Sequence, residues 1–181
     1  MVVASLLRLI FLRKILARKP ATILILTVAH NLRKTLNTKM TREYLSKNPK
    51  ELFWLFWLGI PFLIWIYSIG IELNKKIPES GKLNKIILIG LVTYPIIYIP
   101  IGLTLLISGI ADMNSILPFH FGAMICMFLL MILTSITIIK FEKAEKLKQS
   151  NGIGLFFGIW YFIIGVWYIQ PKLNEYIKRI K

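Results

Sequence analysis

The sequence predicts an all-α fold, a polytopic transmembrane bundle of four membrane-spanning helices preceded by a basic N-terminal leader. Four long apolar segments indicate this fold, at residues 52–72, 86–111, 116–139 and 152–170, with short polar connections between them. Each segment has roughly the 20 apolar residues that a helix needs to cross a ~30 Å hydrocarbon layer. The composition agrees, since 56% of the residues are apolar and only 17% are charged, against roughly a quarter charged in soluble domains.

The charge distribution favours a lipid partner over a nucleic acid. The chain has 23 basic and 8 acidic residues, a net charge of +15. The basic residues flank the apolar segments, and no recognisable nucleic-acid-binding fold lies between them. Attraction of each Lys or Arg to anionic head groups contributes about 1 kcal/mol near a membrane surface. We therefore expect a lipid bilayer with anionic head groups as a partner, and no nucleic acid.

Residues 1–39, the leader, differ from the rest of the chain because they include eight basic residues and no acidic ones. Basic residues interrupt any continuous apolar stretch of a signal peptide, and no small-residue cleavage site follows. Two alternatives remain open: the leader is an interfacial helix, or the native start is Met40 and the leader is an over-extended translation. The intact mass of the protein from its native host distinguishes them. We expect residues 40–181 to form a single membrane domain.

The first two apolar segments contain residues that bend helices. Gly59 and Pro61 lie near the middle of the first segment, which predicts a kink there. Pro95 and Pro100 lie five residues apart in the second segment, and each removes a backbone hydrogen-bond donor. We expect the second helix to be bent.

Turn-forming and helix-ending residues connect the later segments. Asp112 and Asn114 lie between the second and third segments, which predicts a tight antiparallel helical hairpin. Gly152 ends the charged extension that follows the third segment and begins the fourth. Gly154 and Gly158 have the GxxxG spacing that lets two helices approach closely, so they are candidate helix-packing residues.

The orientation of the segments has two solutions. Four full crossings place the loop at residues 75–85 and the loop at residues 140–148 on one side, opposite both termini, yet each loop has four Lys residues. The positive-inside rule favours both basic loops in the cytoplasm, with only the turn around Asp112 outside. That arrangement requires the first and last segments to enter the membrane and return, with their backbone shielded by protein. Both segments contain the helix breakers that such a shape needs, Gly59 with Pro61 and Gly158 with Gly165. We favour four crossings with cytoplasmic termini, in a multi-pass protein of the bacterial inner (plasma) membrane, and keep the re-entrant arrangement as the alternative.

A weak internal similarity relates the first and last segments. At an offset of 100 residues, apolar residues recur at several positions, including Phe62 and Phe162, Ile69 and Ile169, and Leu73 and Leu173. Internal repeats are common in transporters. Shared composition in segments this rich in Phe and Ile explains most such matches.

Three polar residues near the apolar segments are candidate site residues. His120 follows the turn between the second and third segments, and Asp112 and Glu72 are the acids nearest the predicted bilayer. Ionisable groups at membrane depth are commonly functional, although all three lie near segment ends, where an interfacial or snorkelling role is the simpler interpretation. We find no catalytic motif, no metal-ligand spacing and no cofactor motif. The single cysteine, Cys126, excludes a disulfide framework.

Three stretches resemble those of small polytopic membrane proteins found among Bacteroidota-type bacteria: IPFLIWIYSIGIELNKKIPES, LPFHFGAMICMF and FFGIWYFIIGVWYIQPKLN. The resemblance covers the chain from about residue 49 to its end and leaves out the leader. That family is uncharacterised and has no assigned activity. The resemblance therefore implies a membrane location and no chemistry.

The functional prediction rests on what the apolar segments and their connections contain. Loops this short hold no soluble site, and the segments contain no acid–base set, so we expect a non-enzymatic accessory or partner-binding membrane subunit. Its partner would be another membrane protein or a second copy of the chain. The first alternative is a small transporter or channel component, which the proline-containing second segment and the weak repeat would suit. The second alternative is a lipid-acting membrane enzyme.

Overall fold

The structure, a computed structural model, describes residues 38–180, and the predictions made for residues 1–37 lie outside this range. The described part is all-helical, which confirms the predicted fold class at that level. It belongs to one compact unit. The helices are α1 (Thr38–Ser46), α2 (Pro49–Phe56), α3 (Ile60–Asn74), α4 (Lys85–Ile107), α5 (Met113–Ala144), α6 (Gly152–Trp160) and α7 (Phe162–Arg179), with a 3-10 turn at Glu79–Gly81.

Two of these helices are long and apolar enough to cross a membrane, by length and composition. One is α4, which together with the preceding 3-10 turn covers Glu79–Ile107, and the other is α5. The predicted spans at residues 52–72 and 152–170 are each divided into two shorter helices. The described residues therefore provide two helices of spanning length where the sequence predicts four.

The first predicted span is interrupted between α2 and α3. Gly59 lies in this interruption with φ of 72°, a conformation that favours a residue without a Cβ. The rings of Phe56 and Trp65, on either side of it, have centroids 5.1 Å apart, whereas nine residues of continuous helix would separate them by about 13.5 Å. The predicted kink is thus a reversal of the chain, and α2 and α3 form a helical hairpin, here called hairpin A.

The last predicted span is interrupted at Tyr161, between α6 and α7. A Cβ added to Gly165 would overlap the carbonyl of Gly158 and lie 2.8 Å from its Cα. Seven residues of continuous helix would separate these two glycines by about 10.5 Å. The chain therefore reverses here as well, and α6 and α7 form a second helical hairpin, hairpin B.

Hairpin B packs against the C-terminal half of α5. At the start of α6, a Cβ added to Gly152 would lie 2.9 Å from Cδ1 of Ile139. At the end of α6, the ring of Trp160 lies 5.0 Å from that of Phe128, centroid to centroid. Helix α6 is therefore antiparallel to α5, and the tip of hairpin B lies level with Phe128.

Hairpin A packs against the same half of α5. Thr134 Oγ1 donates a hydrogen bond to the carbonyl oxygen of Ile66, at 3.4 Å. The rings of Phe62 and Phe162 lie 5.2 Å apart, so the tips of the two hairpins meet. Helices α3, α5 and α7 therefore end at the same end of the bundle, here called the polar end.

Helices α4 and α5 form an antiparallel pair joined by a short turn at residues 108–112, as the turn-forming residues predict. The Tyr94 hydroxyl donates to the carbonyl oxygen of Phe119, at 3.1 Å, which joins the two helices. Pro95 and Pro100 lie inside α4, which continues through both. The end of the pair that carries this turn, the distal end, extends beyond the tips of both hairpins.

The two hairpins share one design, a short helix, a reversal and a longer helix. At four pairs of positions related by the 100-residue offset both members are buried, whereas Phe62 is buried and Phe162 is only partly buried. The pairs are Ile66 and Val166, Ile69 and Ile169, Leu73 and Leu173, and Ile77 and Ile177. The weak similarity in the sequence thus coincides with equal burial at these four pairs only.

Candidate functional site

The structure does not bring the three predicted site residues together. Both Asp112 and His120 lie at the distal end: Asp112 immediately precedes α5, and His120 lies in its first turns. Glu72 lies near the end of α3, which runs parallel to α5. From the pairing of Ile66 with Thr134, Glu72 is level with about residue 140, so roughly 40 Å of helix separates it from Asp112. A site that combines these residues is therefore excluded by distance.

The two distal residues have local structural roles. Asp112 is the N-cap of α5, and its carboxylate accepts hydrogen bonds from the backbone N–H and the hydroxyl of Ser115. These hydrogen bonds, the side-chain one foremost, lower the pKa of Asp112 below its ordinary value. His120 is exposed, with its ring centroid 5.9 Å from that of Tyr98.

Glu72 is fully buried at the polar end and bound to three groups. Its carboxylate accepts from the Thr41 hydroxyl at 2.6 Å, from Arg42 Nε at 3.2 Å and from Lys75 Nζ at 2.6 Å. A buried carboxylate is costly unless it is paired and hydrogen-bonded, and Glu72 is both. Its partners on α1 mean that Glu72 holds this helix against α3. Glu72 is one of the predicted site residues, whereas no sequence feature indicated Thr41 or Arg42.

Glu142 is a second buried carboxylate, and it is not among the predicted site residues. It accepts from the backbone N–H of Ser150 at 2.6 Å, from the Ser150 hydroxyl at 2.6 Å and from the Tyr176 hydroxyl at 2.7 Å. Burial, and next the hydrogen bond to Glu142, raise the pKa of Tyr176. Glu142 thereby fixes the loop after α5 onto α7. Its place among the charged residues of FEKAEK gave no signal of burial.

Gln170 joins three parts of the fold. Its Oε1 accepts from the indole N–H of Trp65 at 2.8 Å. Its Nε2 lies 2.8 Å from the carbonyl oxygen of Leu45, 3.0 Å from that of Lys47 and 3.0 Å from Asn174 Oδ1. The side chain is fully buried. Gln170 therefore satisfies polar groups where hairpin A, hairpin B and the end of α1 meet.

An open cleft of about 390 Å³, here called the basic cleft, lies at the polar end, and its lining includes Ser150 and Tyr176, the partners of Glu142. The loop at residues 147–151 forms one side, and one face of α7 forms the other. Three basic side chains line it, Lys148, Lys172 and Arg179, together with one acid, Glu175. Lys172 Nζ donates to the hydroxyls of Tyr168, at 2.8 Å, and Ser150, at 3.3 Å.

An apolar cavity of about 400 Å³, here called the tip cavity, lies where the two hairpin tips meet α4 and α5. Its walls are almost entirely apolar and aromatic, and they include flexible methionines of α5. Residues that line it are Phe56, Phe62, Ile99, Met127, Trp160 and Phe162. The two predicted helix-packing glycines lie apart from it: Gly158 faces Gly165 and Ile169, and Gly154 is exposed with only Asn151 within 4 Å.

Among residues 38–180, no three His, Cys, Asp or Glu side chains lie close enough together to hold a metal ion. The buried carboxylates are already bound by donors of the protein itself. Comparison with protein-family models, with curated proteins and with solved structures finds no match to this chain.

Proposed function

We propose that this chain is a bacterial inner-membrane protein that crosses the bilayer twice, through α4 and α5, while both hairpins enter from the cytoplasmic face and return. Helix α6 has 9 residues and α3 has 15, or about 13.5 Å and 22 Å of helix. Neither length reaches across a ~30 Å hydrocarbon layer, but they suit entry to about half of its depth for α6 and about three quarters for α3. The finer prediction of four crossings requires the chain to continue through both reversals.

The loop charges support the same topology. In the re-entrant arrangement, the Lys-rich loops at residues 75–85 and 140–148 lie together at the polar end, and the distal turn has Asp112 and no basic residue. This is the distribution that the positive-inside rule favours when the polar end is cytoplasmic. Re-entrant backbone must be covered by protein. Helix α3 meets this requirement because 12 of its 15 residues are buried.

We infer that the protein acts as a non-enzymatic accessory subunit that binds a lipid in the cytoplasmic leaflet, alone or with a membrane protein partner or second copy. The observation that carries this proposal is the tip cavity. Its volume of about 400 Å³ falls in the range of small-molecule pockets. Because its lining is apolar and it lies at mid-depth of α4 and α5, an acyl or prenyl chain is the ligand whose chemistry fits it.

A transporter or channel component is the second candidate. Helices broken near the bilayer midplane are typical of transporters, where half-helix ends bind the substrate or ion. The same breaks occur here at Gly59 and Tyr161. The lining of the tip cavity includes no charged side chain, which favours an apolar ligand over an ion. The lipid-acting enzyme is the third candidate, supported only by His120 and Asp112.

Topology is tested by labelling single cysteines in intact cells with a membrane-impermeant maleimide, in a Cys126→Ala background. The positions Ser80, Asn114 and Gln149 are exposed in the structure. We expect label at Asn114→Cys only, with Ser80→Cys and Gln149→Cys labelled after the cells are opened. Label at the two loop positions and not at Asn114→Cys would support four crossings instead.

Lipid binding in the tip cavity is tested by photo-crosslinking with a fatty acid that has a diazirine near its methyl end. Met127→Trp adds bulk to the cavity lining, whereas Leu129→Trp adds the same residue to an exposed position of the same helix. We expect crosslinking to α5 to fall in Met127→Trp and to persist in Leu129→Trp. Equal crosslinking in both variants would refute a lipid site in this cavity.

A further inference from the structure

The basic cleft has more positive charge than its surroundings neutralise. Lys148, Lys172 and Arg179 line it, and Glu175 is its one acid. Within residues 38–180, none of these three cations lies within 4 Å of a carboxylate oxygen. Positively charged side chains gathered in a concave site, without carboxylate partners, are suited to an anionic ligand with several oxygen acceptors.

The cleft is also held in shape by the groups behind it. Glu142, which does not line the cleft, binds Ser150 through its backbone N–H and its hydroxyl, and binds the Tyr176 hydroxyl from the opposite wall. These three hydrogen bonds fix the loop against α7. The Glu142 carboxylate is thus buried and saturated with donors, so Glu175 is the one carboxylate that faces the cleft beside the three cations.

The surroundings of the cleft are those of a membrane interface. Tyr168 lines the cleft and Trp167 immediately precedes it in the sequence. Both side chains are at least half exposed. Tyr and Trp concentrate at the head-group level of bilayers. Ile164, one turn deeper on α7, is 75% exposed. The helix face thus passes from cationic to aromatic to aliphatic along its length, as a lipid passes from phosphate to glycerol to acyl chain.

We propose that the basic cleft is a binding site for the phosphate group of an anionic membrane lipid, with Lys148, Lys172 and Arg179 as its phosphate-binding residues and Tyr168 beside the head group. The inference rests on the proposed membrane function, because it needs the polar end at a bilayer surface. It adds a chemically defined site to that function, at the opposite end of α7 from the tip cavity.

The test is native mass spectrometry of the full-length protein in a neutral detergent, titrated with phosphatidylglycerol, phosphatidic acid or phosphatidylcholine. The cleft variant is Lys148→Gln/Lys172→Gln/Arg179→Gln. The matched control is Lys76→Gln/Lys143→Gln/Lys178→Gln, which removes the same charge from exposed positions outside the cleft. We expect the cleft variant to bind the two anionic lipids at least about tenfold more weakly, and the control to stay within about twofold of the unmodified chain.

Three results would overturn the inference. Equal loss of anionic lipid in the cleft and control variants would mean that only overall charge matters. Equal binding of phosphatidylcholine would mean that the phosphate charge is not recognised. Displacement of the lipid by inorganic phosphate at equal concentration would assign the cleft to a free phosphate compound. Lys148→Gln alone, an exposed single change, guards against misfolding of the triple variant, because it should also weaken binding.

Failure of this inference is distinguishable from failure of the proposed function. Cysteine labelling reports the topology in cells, and the Met127→Trp experiment reports the tip cavity, and neither depends on the basic cleft. Loss of the cleft site with the expected topology would overturn only the phosphate inference. Cleft-dependent lipid binding with the opposite topology would overturn only the proposed membrane arrangement.

Discussion

The reversal between α6 and α7 depends on the absence of a side chain at Gly165. A Cβ at this position would overlap the backbone carbonyl of Gly158, and backbone cannot rotate away as a flexible side chain can. We therefore expect Gly165→Ala to open hairpin B and destabilise the protein. The same substitution at Gly154 meets nothing closer than Asn151 Cβ at 3.7 Å, an ordinary contact. Gly154→Ala is thus a matched control in the neighbouring helix.

The magnitude follows from two opposed effects. Forcing extra atoms into a packed site costs about 1–3 kcal/mol, and occasionally more. Replacing Gly by Ala inside a helix stabilises it by about 0.5–1 kcal/mol. For Gly165→Ala we expect a net loss of about 2 kcal/mol, because the overlap is with backbone. For Gly154→Ala, whose site is open, only the favourable effect remains.

The assay is thermal unfolding in detergent micelles, followed by the fluorescence of the five tryptophans. For a chain of this length, about 2 kcal/mol corresponds to a decrease in melting midpoint of roughly 4–8 °C. We expect that decrease for Gly165→Ala and an unchanged or slightly higher midpoint for Gly154→Ala. Equal midpoints for the two variants would refute the close approach of Gly158 and Gly165, and with it the reversal that defines hairpin B.

Three further predictions concern polar groups. Gln170→Ala leaves the Trp65 indole N–H and two carbonyl oxygens without their partner, so the melting midpoint should fall by an amount that reflects about 2–4 kcal/mol; an unchanged midpoint would contradict the shared network. Because the pKa of Tyr176 is raised, its stabilising contribution is present below its ordinary value of 10.0 and is lost as the pH rises above it. The decrease in melting midpoint at high pH should therefore be smaller in Tyr176→Phe, and an identical pH profile would argue against the raised pKa and the burial of Tyr176 beside Glu142. Because the pKa of Asp112 is lowered, its contribution is present above its ordinary value of 3.8 and is lost on acidification below it; Asp112→Ala should show a weaker acid dependence, whereas an unchanged one would contradict the N-cap.

The sequence predicted the helical class and the breaks, and it left open whether the chain continues through the breaks or returns. Gly59 and Pro61 predicted a kink in the first span, and the structure has a reversal there. In the last span, Gly158 and Gly165 were predicted as helix breakers, but their close approach to each other was not predicted. A glycine in a sequence indicates that a close approach is allowed. Only the packed chain identifies the atom that approaches it.

For the candidate sites too, the sequence indicated some residues, and only the folded chain shows their partners. Glu72 was identified from its place at a span end, but its partners Thr41 and Arg42 come from a helix some 30 residues earlier in the chain. Glu142 looked like one member of a solvated charged helix, and it became a buried acceptor only because Ser150 and Tyr176 fold over it. The residues next to Glu72 and Glu142 in the sequence do not indicate which distant side chains donate hydrogen bonds to them.

The sequence by itself indicated that residues 38–180 are helical and that they contain four long apolar segments, because hydropathy and segment length act residue by residue along the chain; two of those segments, α4 and α5, are helices long and apolar enough to span a membrane. The tertiary structure alone decided that the other two apolar segments reverse as hairpins A and B, and that their tips meet. The physical reason is that a reversal depends on which surfaces cover it. The ring of Phe56 contacts that of Trp65 and also that of Phe162, more than 100 residues later in the sequence, and the second contact exists only in the folded chain.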